Sequence, residues 1–193
     1  MASETDICNL GLLRTGVSQS IASPDEKNNE ARVCKLLYPI LRDFVLADVD
    51  WNFARRRATL ARFTGNAPTN WSYAYALPDG CLAVRDVVIP GSRKPASSDR
   101  VPFEVAGGQL FCDQESVEII YTVRVTDTSL FSPQFVSAMG WALVPELATG
   151  LVIKGDFATA GKRGYDQAVS SAIAADLQEG SDNEPDSDFV RCR

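Results

Sequence analysis

Apolar residues recur at helical spacing near both ends of the chain, and at strand spacing in its middle. Near the N-terminus the pattern predicts a helix over about residues 5–15, with Ser3 and Asp6 as its capping box and Gly16 as its stop. Ile7, Leu10 and Leu13 fall on one face of this helix. Two helices alone cannot bury their apolar faces fully, so the helices near both ends of the chain are expected to pack together.

A second helix is predicted to start at Ser23, which is a good N-cap, with Pro24 at the first helical position and Glu26 completing a capping box. Its apolar stripe consists of Val33, Leu36, Leu37, Ile40, Leu41, Phe44 and Val45. Every residue of this stripe fits helical spacing, so the whole stripe is expected to face the core. Because Pro39 lies inside the stripe, we expect a kink there rather than an end.

The period changes to two after about residue 58. Trp71, Tyr73, Tyr75 and Leu77 alternate with other residues, which predicts a strand with one aromatic face. That face indicates a sheet core, although aromatic residues in such a row can also stack on bases or sugars. Further strands are predicted at 82–89, on both sides of a hairpin turn at 107–108, and at 117–125. Four or five short antiparallel strands fit a small sandwich or barrel.

Helical spacing returns at Ser132-Pro133, which repeats the signal of an N-cap followed by proline. A last helix is predicted over about 156–178. The expected fold is α+β: a four-helix bundle with an inserted small antiparallel β-sandwich or barrel. The predicted units are 1–57 and 131–178 for the two halves of the bundle, 58–130 for the β insertion, and 179–193 for an acidic tail that is disordered by itself.

The composition limits the classes of function. The chain has 193 residues, of which 45% are hydrophobic and 23% charged, with a net charge of −6. No apolar run approaches the roughly 20 residues that cross a bilayer, and the polar N-terminus is not a secretory signal, so synthesis in the cytoplasm and no membrane partner are expected. An acidic chain argues against tight binding of DNA, yet it suits a surface that DNA must pass without adhering.

Candidate chemistry is sparse, and no catalytic, cofactor-binding or metal-ligating residue is predicted. Histidine is absent, which excludes Ser-His-Asp and Cys-His nucleophilic systems and histidine-containing zinc sites. The five cysteines form no C-x-x-C pair. The run Gly161–Gly164 lacks the residues of a phosphate loop and is interpreted as a helix face packed closely on a neighbour. The basic run Arg55–Arg57 fits either intramolecular ion pairs or contact with an acidic partner or a DNA backbone.

Several segments, in order and spacing, resemble one family. They are Ile7–Leu13 with Gly16, Glu30-Ala31-Arg32, Tyr38, Arg42-Asp43, Trp51–Ala54, Trp71-x-Tyr73-x-Tyr75, Leu77-Pro78, Cys81-Leu82 and Phe131-Ser132-Pro133-x-Phe135. Together they resemble the tail tubular protein A-like family of head-to-tail adaptors (connectors) of tailed bacteriophages. The chain departs from that pattern at Asp79-Gly80, where a small residue followed by Asp is expected, and this affects only turn geometry.

The resemblance implies a structural protein without enzymatic activity or cofactor. It implies a homo-oligomeric ring of about twelve copies in the virion neck, bound to the portal protein above and to a tail tube, nozzle or other tail protein below. Genomic DNA would pass through the ring without sequence-specific binding. On this view the segment with Phe189, Val190, Arg191 and Arg193 is a candidate for docking on the portal, because an apolar pair beside two cations suits a carboxylate-lined groove.

Two further sites are expected on the same view. The polar stretch that begins with Ser92, Arg93 and Lys94 is a candidate loop for contact with the tail component. Cys192 lies in the polar tail and could form a disulfide between neighbouring subunits in an oxidising medium. Other functions stay open: a stopper or terminator ring of the neck, or a virion-associated cell-wall hydrolase that uses paired carboxylates.

Overall fold

The protein is described by a computed structural model that covers residues 2–63, 65, 68–91 and 100–179, with side chains in the last helix described as far as Ala175. It has a mixed helical and sheet fold. The helices are α1 (Glu4–Arg14), α2 (Asn29–Asp48), α3 (Pro133–Gly150) and α4 (Phe157–Glu179), with short 3-10 turns at Asn52–Ala54 and Thr128–Leu130. The strands are β1 (Arg55–Thr59), β2 (Tyr73–Ala76), β3 (Cys81–Val88), β4 (Glu104–Ala106), β5 (Gln109–Cys112) and β6 (Glu118–Val123).

Local capping chemistry sets the starts of two helices as the sequence predicts. The Ser3 hydroxyl accepts a hydrogen bond from the Asp6 amide, and the Asp6 carboxylate accepts one from the Ser3 amide at 2.8 Å. Ser132 caps α3 by accepting a hydrogen bond from the amide of Phe135, with Pro133 next in sequence. Both predictions are confirmed, because these caps depend only on residues within one turn.

The predicted start of α2 at Ser23 is wrong, since the helix begins at Asn29. Glu26 does accept a hydrogen bond from the Ser23 amide, but the Ser23 hydroxyl binds the amide of Asp25, so the contacts close an isolated turn. Asn28 is the true N-cap, and its side-chain oxygen accepts a hydrogen bond from the Ala31 amide at 2.7 Å. Ser23 and Asn28, five positions apart, both satisfy backbone donors locally, so the two residues compete to be the N-cap of this helix.

The helix α3 lies at the centre of the helical part, in contact with the other three helices. It is apolar on nearly all sides, which is typical of a buried helix. Its fully buried side chains include Phe135, Met139, Leu143 and Leu147. Two glycines permit close contact with α1: a methyl group on Gly11 would lie 2.9 Å from the Cβ of Leu143, and one on Gly140 would meet Leu10 and Arg14.

The six described strands form two antiparallel sheets in the orders β1-β6-β3 and β2-β5-β4. Both sheets contribute to one apolar cluster, with Tyr75 and Leu110 from one sheet and Val87 and Ile119 from the other. The hairpin at 107–108 is confirmed, and both glycines there have the positive φ that a tight two-residue turn requires. The edge strand β1 has no sequence signal, because the run Arg55–Arg57 shows no alternation of apolar and polar residues.

Arg85 is one of two arginines that join the sheets to the helices, the other being Arg124, which pairs with Asp43 of α2. The Arg85 guanidinium on β3 donates to the backbone oxygens of Leu46, Ala47 and Val49 at the C-terminal end of α2, and to the hydroxyl of Thr122 on β6. The last carbonyls of a helix have no partner within the helix and carry negative partial charge, so a cation suits them. This contact fixes the position of the sheets against α2.

No helix in the described part of the chain is both long enough and apolar enough to cross a membrane.

Candidate functional site

The feature of the surface with the clearest functional meaning is an apolar groove between α2, α3 and α4. Its volume is about 380 Å³. The walls are formed by Ile40 and Phe44 of α2, Trp141 and Pro145 of α3, and Gly161 and Tyr165 of α4. A cavity of this size, lined mainly by apolar side chains, is suited to receive a few apolar side chains of a partner.

Two glycines of α4 create the shape of this groove. A methyl group on Gly161 would lie 2.7 Å from the Cδ of Pro145, and one on Gly164 would overlap the ring of Trp141. The backbone of α4 therefore lies directly against α3 at these positions. The interpretation of Gly161–Gly164 as a closely packed helix face is confirmed, and the positions that α2 and α4 take on α3 leave the groove open.

An exposed ridge of α2 extends this apolar surface beyond the groove. Leu36, Ile40 and Phe44 lie one turn apart and are 67%, 61% and 56% exposed. The prediction that the whole α2 stripe faces the core is therefore wrong for these three residues. Complete burial of one such side chain contributes about 1.5–3 kcal/mol. A contiguous row of them on the surface is typical of a contact site for another protein.

The edge of the groove carries one ordered polar pair. The Tyr165 hydroxyl donates a hydrogen bond to Asp48 at 2.6 Å, and its ring lies 6.5 Å from that of Phe44. Burial, together with that hydrogen bond to a carboxylate, raises the pKa of Tyr165 far above its usual value. The phenol therefore stays neutral at any physiological pH and acts here as a positioning contact between α2 and α4.

Charge on the rim is mixed. Lys162 and Glu146 both line the groove, and Arg163 lies with Asp166 on the adjoining surface of α4. Among the described residues neither cation forms an ion pair. The rim can therefore receive carboxylates of a partner at little cost, because no internal pair has to be broken.

The basic run on β1 has internal partners. Arg55 pairs with Asp50 at 2.6 Å, and Arg57 pairs with Glu118 at 2.7 Å. Arg56 donates to the carbonyl oxygens of Phe53 and Arg55. Of the two interpretations left open for this run, ion pairing within the chain is the one that the structure supports.

The aromatic row of β2 is divided between core and surface. Tyr75 is buried, and its hydroxyl donates to the carbonyl oxygen of Gln114. Tyr73 and Leu77 pack partly against the same core, and the Trp71 indole donates to Glu104 at 2.8 Å. The row therefore serves mainly to build the sheets, as an aromatic face of a strand usually does.

The described residues hold little reactive chemistry. No group of three or more His, Cys, Asp or Glu side chains is arranged to hold a metal ion in this part of the chain. Cys8 and Cys34 are buried where α1 meets α2, and the pKa of Cys8 is raised by its hydrogen bond to Cys34 and by burial. Burial also raises the pKa values of Cys81 and Cys112, so these two thiols and that of Cys8 do not resemble activated nucleophiles. The hydrogen bond with Cys8 lowers the pKa of Cys34, whose thiol is buried in the helical core.

Several of the predicted site residues lie outside the described residues. They are Ser92, Arg93 and Lys94 of the proposed contact loop, and Phe189, Val190, Arg191, Cys192 and Arg193 of the C-terminal segment. The groove, in contrast, was not predicted. A signal for it exists in the sequence: α2 carries apolar or small residues at Ala31, Cys34 and Tyr38 as well as along the predicted stripe, so its apolar surface is wider than one core contact can cover.

Neither the protein-family models nor the curated proteins with which the chain was compared match it.

Proposed function

We propose that this protein is a structural head-to-tail adaptor of a tailed bacteriophage, one subunit of a ring in the virion neck between the portal and the tail. The observation that carries the proposal is the exposed apolar surface of the helical part, formed by the groove and the α2 ridge at Leu36, Ile40 and Phe44. A subunit that works only inside an assembly needs such a surface, because each copy must bury area against its neighbours.

The order of elements supports the same proposal. Two helices, a block of antiparallel strands and two further helices follow one another along the chain. This is the order expected for an adaptor of the tail tubular protein A-like family, in which a four-helix bundle carries an inserted β-sandwich or barrel.

The charge of the chain suits a channel for DNA. The net charge is −6, and the basic residues Arg55 and Arg57 are engaged in ion pairs with acidic side chains. A ring of about twelve acidic subunits would repel the phosphate backbone and let genomic DNA pass without adhering. The proposed protein is therefore neither an enzyme nor a sequence-specific DNA-binding protein, and it is made in the host cytoplasm before it enters the virion.

Contacts with the partners are proposed for two segments outside the described residues. Phe189, Val190, Arg191 and Arg193 would dock on the portal, because a mixed apolar and cationic segment suits a groove lined with carboxylates. Ser92, Arg93 and Lys94, in a polar stretch, would contact the tail component below. Cys192, in the polar tail, would form a disulfide between neighbouring subunits.

The direct test is electron microscopy of negatively stained portal rings, from the same genome, after mixing with this protein. The proposal expects an added coaxial ring layer on the portal. A variant that lacks residues 180–193, which leaves α4 complete, should lose the layer if the C-terminal segment docks on the portal. Bare portal rings beside small unassembled particles would overturn the adaptor proposal.

The same sample can test the other functions. Release of reducing ends from peptidoglycan would indicate a cell-wall hydrolase, and a Glu146→Gln variant would then test a carboxylate at the groove. Addition of the layer only to portals that already carry another neck protein would indicate a stopper or terminator instead.

A further inference from the structure

We propose that the apolar groove receives the outward face of α1, centred on Leu13, from a second copy of this chain. The contact is head to tail: each copy offers its groove to one neighbour and its α1 face to the other. The closing of such contacts into a ring rests on the proposed function, whereas the pairwise contact itself does not.

The α1 face has the property that an inserting surface needs. Leu13 is 70% exposed, which makes it the most exposed large apolar side chain among the described helical residues. It lies near the C-terminal end of α1, outside the contacts that Leu12 and Gly11 make with the core. An isolated exposed leucine needs no explanation, but an exposed leucine and an open apolar groove on one chain are complementary.

The two surfaces lie on opposite sides of the central helix. Contacts with α1 are made by the α3 residues Gly140, Leu143 and Leu147, and the groove is lined by the α3 residues Trp141 and Pro145. At 100° per residue, the mean directions of these two sets differ by roughly 150° around the α3 axis. The outer face of α1 and the groove therefore lie on largely opposite sides of α3, and the Arg14 guanidinium of α1 lies over the Trp141 ring between them, 4.1 Å from its centroid.

That placement selects the kind of assembly. Two complementary surfaces on opposite sides cannot satisfy each other within an isologous dimer, because such a dimer uses the same patch on both copies. They link copies head to tail, and the chain of copies closes when each contact adds a constant rotation. In a ring of about twelve copies this rotation is about 30°, so nearly opposite faces are what a ring of that size requires.

Opposite charges are available at this contact, and the charge of the groove is mixed. The groove wall carries Lys162 and Glu146, and the adjoining surface of α4 carries Arg163 and Asp166, while the first turn of α1 carries Glu4 and Asp6. In the described part of the chain none of these six side chains takes part in an ion pair. Asp6 lies two helical turns, about 10 Å, from Leu13 on the same side of α1 and already accepts hydrogen bonds from Ser3, so a new ion pair between the copies would join Glu4 or Asp6 to Lys162 or Arg163.

The test uses cross-linking, since head-to-tail contacts give a distinctive product. In a Cys192→Ser background, the double variant Leu13→Cys with Ile40→Cys is treated with a flexible bis-maleimide, both alone at high concentration and on portal rings. Both positions are exposed, so the core is not altered. The expected product of the double variant is a ladder of cross-linked dimers, trimers and larger species. Each single variant should give no more cross-linked product than the Cys192→Ser protein.

A second measurement asks whether the groove is needed. Ile40→Glu places a charge in the groove. The protein concentration needed for half-maximal assembly should rise at least about tenfold, as expected for the loss of one buried apolar anchor. The matched control is Ile89→Glu, which alters a side chain that is 50% exposed directly after β3, away from the groove, and should assemble normally. Circular dichroism of both variants should match that of the unaltered protein.

The outcomes separate this inference from the adaptor proposal. A ring layer on the portal without a ladder overturns the α1-to-groove contact and leaves the adaptor proposal standing. A ladder without portal binding supports the contact and counts against the adaptor proposal. No ladder under either condition overturns the contact. If Leu13→Glu assembles as the unaltered protein does, the groove does not need the α1 face and the inference is wrong.

Discussion

A terminal nitrogen of the Arg85 guanidinium lies 2.8 Å from the carbonyl oxygen of Ala47, in the last turn of α2. The same nitrogen lies 2.7 Å from the carbonyl oxygen of Val49, the residue that follows the helix. A single side chain of the sheets thus completes the hydrogen bonding of a helix end. The two parts of the fold are also connected by the ion pair of Arg124, directly after β6, with Asp43 of α2 at 2.7 Å, and by the backbone on either side of the strands.

Replacement of Arg85 by methionine should therefore weaken the whole fold. The change removes charged hydrogen bonds and leaves buried carbonyl oxygens of α2 without a partner, so the free energy of unfolding should fall by about 2–4 kcal/mol. Urea unfolding measures it. The matched control is Arg32→Met on the exposed surface of α2, which loses only a bond to Asn29 and should change stability by less than about 0.5 kcal/mol. Equal effects of both variants would contradict the role of Arg85.

Gly164→Ala tests the close contact between α3 and α4. At an exposed helical position this change stabilises by about 1 kcal/mol, because alanine has the higher helix propensity. Here the new methyl group would overlap the Trp141 ring, so we expect a loss of about 1–3 kcal/mol instead. Combination with Trp141→Leu should recover part of that loss in a double-mutant cycle. A stabilised single variant would show that α4 lies farther from α3.

Tyr38→Phe should stabilise the protein slightly at neutral pH and more clearly at alkaline pH. Its hydroxyl is buried and has no hydrogen-bond partner in the protein, so its removal costs nothing and relieves a desolvation penalty of about 1 kcal/mol or more. Burial raises the pKa of Tyr38 above the ordinary value of 10.0. The folded state therefore holds its proton where the unfolded state loses it.

The sign of the pH effect follows from that difference. The part of the free energy of unfolding that is linked to the Tyr38 proton is fully present below pH 10. It decreases as the pH rises above 10, by up to about 1.4 kcal/mol per pH unit. The phenylalanine variant should lack this part of the decrease when urea unfolding is measured between pH 8 and 11. Tyr73→Phe on the half-buried face of β2 is the matched hydroxyl deletion. A parallel decrease in Tyr38→Phe and the unaltered protein would contradict the assignment.

Thiol labelling distinguishes the buried cysteines from any that could join subunits. Cys8, Cys34 and Cys112 are buried, so in a Cys192→Ser variant they should react at least about 100-fold more slowly in native protein than in urea. The half-buried Cys81 should react first among the four. Covalent dimers that persist on non-reducing gels without Cys192 would have to come from Cys81, and they would contradict the proposed role of Cys192.

Local signals were reliable wherever one turn of chain decides the structure. The caps at Ser3 and Ser132 and the glycine turn at 107–108 were predicted from sequence and are present, because their hydrogen bonds join residues at most three positions apart. The start of α2 was not, since Ser23 and Asn28 both offer a capping oxygen. Only the packing of the following helix on α3 decides which of them is used.

The amino-acid sequence by itself determined the order of the helical and sheet segments, since periodicity and caps are properties of neighbouring residues, but it gave no signal for the edge strand β1. Tertiary structure decided which apolar residues are buried. Leu41 and Ile40 are neighbours in one stripe, yet Leu41 packs on the core while Ile40 stays exposed. The area that a helix can bury depends on how many partners surround it. With α3 holding the central position, α2 is left with an apolar surface that other residues of the described chain do not cover.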